Sequence, residues 1–177
     1  MTTTMTAPSL VPNFDTGSEG RKMAIICSKG NLDMAYPGLI LGNAALGEGI
    51  ETHLFFTFWG FDMITKSRMD HLQFSPAGNT AMHIPGGDMH IPQAVMPAPG
   101  MTAMATHMLK KSIADLGVPE VPDFLDQIVA AGGHLWGCRM SADMNKLDIG
   151  DLRDDVEGII SATDFIELTE GAQLLFI

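Results

Sequence analysis

Cys138 lies in the run Gly133–Ser141 (GHLWGCRMS), between an apolar stretch with strand character and a polar one with helical character. A thiol at the carboxyl end of a strand and just ahead of a helix lies near backbone N–H groups carrying partial positive charge, which favours the thiolate. Arg139 adds a neighbouring cation. The chemistry this permits is that of a thiol nucleophile or a sulfur carrier. The opposing reading is that cysteine is among the most buried residue types and packs as a small hydrophobe.

Cys27 also ends an apolar run, Met23–Cys27, and the polar loop Ser28–Asp33 follows it. In a parallel sheet the two sulfurs can face one crevice, with Ser28, Asn31, Arg139 and Ser141 as auxiliary groups. Alternatively Cys27 is a buried structural thiol, and Ser28 and Asn31 cap the next helix. The two cysteines do not form a Cys-x-x-Cys pair. The loop resembles a phosphate-binding turn only loosely, since it has one glycine and no Gly-Lys-Ser/Thr ending.

Other chemistry has weaker anchors. Met82, His83, Asp88, Met89 and His90, followed by Met96, Met101, Met104, His107 and Met108, offer the thioethers and imidazoles that suit Cu(I). The same composition also suits an adaptable apolar arm at a lid or subunit contact, because methionine fills irregular gaps. The acidic stretch Asp148–Glu157 reads as a solvated helical face, and Gly-x-Ser-x-Gly is absent. No cofactor and no bound metal are expected.

The elements that must position Cys138 follow from hydrophobic periodicity. Met23–Cys27 reads as a strand buried on both faces. Met34–Leu46 reads as a helix closed by Gly47 and Gly49, and Thr52–Thr57 as a second strand, so the three form a β-α-β unit. Phe58–Ile64 begins a helix. Ser67–Gly100, with five prolines, reads as an irregular insertion of the kind used for lids and interface arms. Helices are expected over Met101–Leu116 and Pro122–Ala131, and His134–Cys138 is the third strand. Arg139–Asn145 follows as a short helix, Asp151–Val156 as a polar helix and Gly158–Ile160 as a brief strand. Ala162–Thr169 reads as a helix and Ala172–Ile177 as a final strand. The alternation implies an α/β fold: three layers, a mainly parallel sheet with helices on both faces, and ligands at the carboxyl ends of strands.

Composition bounds the rest. A chain of 177 residues fits one domain, residues 21–177, preceded by a loose Thr/Pro/Ser/Gly-rich tail over residues 1–20. With 46% hydrophobic and 18% charged residues, the core needs no disulfide or structural metal, and the apolar surplus suggests burial in a homo-oligomer. A net charge of −11 argues against nucleic acid. No apolar run is long enough to span a membrane, and two cysteines without a signal-peptide pattern point to free thiols in the cytoplasm.

Four segments together carry a family resemblance: Met23–Asp33 (MAIICSKGNLD), Phe55–Gly60 (FFTFWG), the helix start Pro99-Gly100-Met101, and Trp136–Met144 (WGCRMSADM). Over residues 22–177 the chain resembles the DsrE/DsrF-like sulfurtransferase family, in its larger branch with a Met/Pro-rich insertion. The resemblance implies a DsrE-like fold, flavodoxin-like in outline and assembled into oligomers, with a persulfide carried on a cysteine that maps onto Cys138. It also implies sulfur exchange with TusA-type carrier proteins or rhodanese-like enzymes during sulfur oxidation or relay. The insertion at Ser67–Gly100 is missing from smaller relatives, so partner choice does not carry over. The peroxiredoxin-like label used for this branch does not fit, because no Thr-x-x-Cys motif stands near the start. Thiolate exchange needs one cysteine, shielded from water. Trp59, Phe61, Met63, Trp136 and Met140 are the expected walls, unless they are ordinary core residues.

Overall fold

The computed structural model describes residues 20–77, 79, 90 and 92–177; most of the expected tail and Thr80–Met89 of the insertion lie outside them. β1 (Lys22–Cys27) places Ala24, Ile25 and Cys27 in the interior, as its unbroken apolar run requires. α1 (Leu32–Gly47) leads to β2 (Glu51–Phe56). The chain then runs through a 3-10 turn over Phe58–Ile64, where a helix was expected, into the insertion.

The described ends of the insertion are docked. Leu72, Phe74 and Met96 are buried, Leu32 N–H donates to the Gln73 carbonyl, and Thr106 Oγ1 accepts from Phe74 N–H. α2 (Met101–Asp115) and α3 (Val121–Ala130) precede β3 (His134–Cys138), which passes directly into α4 (Arg139–Asn145). β4 (Val156–Ile160), α5 (Ala162–Leu168) and β5 (Gln173–Phe176) complete the chain.

The five strands form one sheet in the order β4-β3-β2-β1-β5, and every pairing is parallel. Because side chains alternate across a strand, the sheet divides two cores. Ile25, Cys27, Leu54, Phe56 and Leu135 pack under α1 and α3 together with Phe61, Met63 and Ile64 of the 3-10 turn. Ala24, Phe55 and Cys138 face the other way, against Phe165 of α5, whose ring stacks on Phe55 with centroids 4.5 Å apart. Helices therefore cover both faces of the parallel sheet. Among the described residues, no helix is long and apolar enough to cross a membrane.

A second expected α-helix is also absent. Asp151–Val156 is a 3-10 turn over Ile149–Asp151, capped by Asp148, followed by an irregular bend; the strand then starts at Val156 rather than Gly158. The reason is Arg153, which is 8% exposed. Its guanidinium pairs with Asp126, meets Asp155 at 2.6 Å and donates to the Pro122 carbonyl at 3.2 Å. The stretch is thus anchored to α3 by a buried cation and is not helical, while Asp148, Asp151, Asp154 and Glu157 stay solvated. Arg153→Ala should destabilise the protein by about 2–3 kcal/mol, less than a fully buried pair would lose because Asp126 stays largely exposed. Urea unfolding checks this.

Candidate active site around Cys138

β3 ends at Cys138, which occupies the position capping α4 with extended backbone, φ −75° and ψ 124°. Pairing of Phe56 with Gly137 places Thr57 across from Cys138 at the carboxyl ends of β2 and β3, where ligands bind in parallel sheets. Cys138 is 5% exposed and borders a cavity of about 440 Å³. The other walls are Phe55, Thr57, Arg139, Met140, Asp143, Ser161 and Ala162.

Two buried hydroxyls accompany the thiol. Thr57 Oγ1 and Ser141 Oγ are 3.3 Å apart, and Ser141 Oγ accepts from Phe58 N–H at 2.7 Å. Ser141 is fixed in turn by its carbonyl, which accepts from Asn145 Nδ2 at 2.8 Å. Phe58 has φ 47°, a left-handed conformation that a bulky side chain seldom adopts, and its bond to Ser141 helps hold it there. Burial pushes the Cys138 thiol up, but hydrogen bonds from the Thr57 hydroxyl, from the Ser141 N–H and hydroxyl, and from the Met140 N–H outweigh it. The net effect holds Cys138 below the ordinary thiol value, so the thiolate is favoured.

Thr57→Val should therefore shift the pH midpoint of Cys138 alkylation upward and slow the reaction near neutral pH by about tenfold, the worth of one charge-assisted hydrogen bond. A pH series with iodoacetamide checks this. A rate change without a moved midpoint would assign Thr57 a packing role only.

Several other expected residues also stand at this site. Arg139 and Met140 line the cavity, and Arg139 Nη2 donates to the Ile159 carbonyl at 2.5 Å. Trp136 shares the face of Cys138, two residues back, but it does not wall the cavity, and its indole N–H donates to His53 Nδ1 at 3.3 Å. Trp59 is 62% exposed and does not wall the cavity.

Three further expectations are corrected. Phe61 and Met63 are fully buried in the opposite core, because the 3-10 turn folds over the α1 side of the sheet. Cys27 and Cys138 do not share a crevice. Cys27 pairs with Phe56, whose own partner is Gly137, so strand alternation sends the two sulfurs to opposite faces. Cys27 is sealed beneath α1, where a methyl group on Gly38 would stand 3.0 Å from its sulfur, and burial pushes its thiol up to about 12. Ser28 and Asn31 do not reach the cavity: Ser28 Oγ donates to the Ile177 carbonyl at 2.8 Å, and Asn31 Nδ2 donates to Asp33 at 2.5 Å. Asn31 makes no side-chain capping bond at α1.

Thr57 was missed by the sequence reading. The usable signal was a polar residue one step past a strand, visible as a site residue once β2 and β3 are set in register. Of the Met/His set, Met82, His83, Asp88 and Met89 lie outside the described residues, and Met96 is buried. Among the described residues, no group of three or more His, Cys, Asp or Glu is placed to hold a metal ion.

Residues 19–176 match the model of the DsrE/DsrF/DrsH-like family. The chain belongs to this family. The sulfur carrier protein DsrE2 of Allochromatium vinosum is 33% identical over 160 residues, covering 90% of this chain and 99% of that protein. The uncharacterized protein YrkE of Bacillus subtilis is 24% identical over 159 residues, covering 89% and 97%. The crystal structure of YchN from E. coli superposes with a TM-score of 0.52 at 13% identity, covering 89% of this chain and 99% of that one. That likeness shows the shared DsrE-like fold.

Proposed function

We propose that this DsrE-like protein is a sulfur carrier or sulfurtransferase that holds a persulfide on Cys138 and relays it between protein thiols. The observation that carries this reading is the pair of buried hydroxyls, Thr57 and Ser141, set against a thiol that opens on a cavity. Similarity to a protein named as a sulfur carrier supports a role in sulfur relay in general. In the proposed cycle the Cys138 thiolate attacks the terminal sulfur of a donor persulfide. The Cys138–sulfur bond forms, the donor S–S bond breaks, and the donor departs as a thiolate that takes up a proton. Attack by an acceptor thiolate on the new terminal sulfur reverses the sequence. No external oxidant is consumed.

The proposed partners are TusA-type carriers or rhodanese-like proteins of the cytoplasm. A homo-oligomer is also proposed, supported by the exposed Ile166, Leu174 and Phe176, the last of them 72% exposed. The test is intact-mass spectrometry after incubation of reduced protein with a persulfide donor, followed by peptide mapping. The expected result is a gain of one sulfur atom, confined to Cys138. No gain, with Cys138 alkylating as slowly as a sealed thiol, would sink the proposal in favour of a non-catalytic interaction protein.

A further inference from the structure

We propose that the Cys138 cavity also binds a small zwitterionic thiol persulfide, a peptide-sized molecule with a carboxylate and an ammonium, so that the carrier exchanges sulfur with low-molecular-weight thiols as well as proteins. The inference rests on the persulfide reading of Cys138 and adds a substrate class to it.

Depth is the first argument. Cys138 is almost wholly covered, and its opening is a concavity of about 440 Å³. That volume lies within the range of small-ligand sites. The lining is the second. Phe55, Met140 and Ala162 supply apolar wall, while Arg139 and Asp143 bring charges of opposite sign. These two residues are four apart on α4, hence on one face of it. Among the described residues, no ion pair within 4 Å joins them or occupies either one. Arg139 donates from Nη2 to the Ile159 carbonyl. It lies near enough to the exposed Asp164 to add to the hydrogen bonds from Ser161 that lower that carboxyl's pKa, but it forms no ion pair with it within 4 Å, so its other N–H groups are open to a ligand carboxylate. Asp143 is left to meet an ammonium.

The exchange balances as before. The small persulfide's terminal sulfur bonds to Cys138, its own S–S bond breaks, and the small thiolate leaves and is protonated.

The test uses the full chain, reduced, and follows the gain of one sulfur by mass spectrometry. Five donors are compared: glutathione persulfide, its diester with both carboxylates blocked, its N-acetylated form, inorganic polysulfide and a protein persulfide. Saturable loading by glutathione persulfide is expected, with half-saturation about tenfold higher for the diester. Arg139→Ala should erase that difference between donors. Asp143→Asn should likewise erase the discrimination against a donor whose ammonium is acetylated, which keeps the idea testable if the arginine variant does not fold. Loading that never saturates, or a donor preference that survives both substitutions, would overturn the inference. Loading by polysulfide or a protein persulfide but not by glutathione persulfide would also overturn it and leave Cys138 as a carrier. Failure with every donor would instead remove the persulfide reading itself.

Discussion

Cys138→Ser should lose all protein-bound transferable sulfur, a fall of at least about a thousandfold to background, because an alcohol neither attacks nor retains sulfane sulfur as a thiolate does. The cradle itself would survive. Serine is close in volume to cysteine, and Thr57, Ser141 and the N–H of Met140 remain to bond its hydroxyl. Loss of sulfur would therefore report on the thiol and not on the fold. Cys27→Ala is the matched control. Its sulfur lies in the opposite core, and burial pushes its thiol up to about 12, so it stays protonated near neutral pH. Removing it should cost about 1 kcal/mol of packing while sulfur loading continues. Cyanide-releasable sulfur, measured on both variants after exposure to a persulfide donor, checks the pair. A Cys138→Ser protein that still carries transferable sulfur would overturn the assignment.

The contrast between the two thiols shows where the sequence was informative and where it was not. Both cysteines visibly end apolar runs, because a strand buried on both faces must be apolar throughout, and that pattern survives in one dimension. Which face each sulfur takes depends on how three strands align. Cys27 is level with Phe56 and Phe56 with Gly137, so Cys138 falls one step out of phase with Cys27. A shift of one residue in either pairing would have brought the sulfurs to the same face, and composition does not encode that shift.

The same limit hid Thr57. A threonine after a strand reads as ordinary β-branched filling until β3 is laid beside it. Arg153 was hidden differently. A polar, acidic stretch suggests solvation, yet here the basic residue turns inward to carboxylates from α3 and from its own bend, and the chain gives up helical geometry to let it. Phe61 and Met63 are ordinary core residues and not walls of the site, since a 3-10 turn carries too little periodicity to say which side of the sheet it folds across.

Gly60→Ala is the substitution expected to join stability and chemistry most directly. A Cβ at Gly60 would stand 2.1 Å from the Cys27 carbonyl oxygen, and one at Gly30 would stand 2.1 Å from that of Trp59. The 3-10 turn and the loop after β1 therefore meet backbone to backbone, with no flexible side chain to yield. Admitting a methyl at Gly60 means moving the turn. Gly60 N–H donates to the Thr57 carbonyl, and Thr57 N–H donates to Cys27, so the displacement reaches Thr57 and then the Phe58 N–H bond that holds Ser141. A loss of about 3 kcal/mol or more is expected, at the upper end for overpacking because the obstacle is main chain. Where the variant remains folded, its Cys138 alkylation midpoint should also rise, as in Thr57→Val. Gly47→Ala, at the end of α1 with nothing within 4 Å of the new methyl, should be neutral or stabilising by up to about 1 kcal/mol. Urea unfolding of the two variants, with the alkylation profile of the first, makes the comparison. If Gly60→Ala were as stable as Gly47→Ala, the backbone contact would not constrain the turn, and the strained placement of Phe58 beside Ser141 would need another cause.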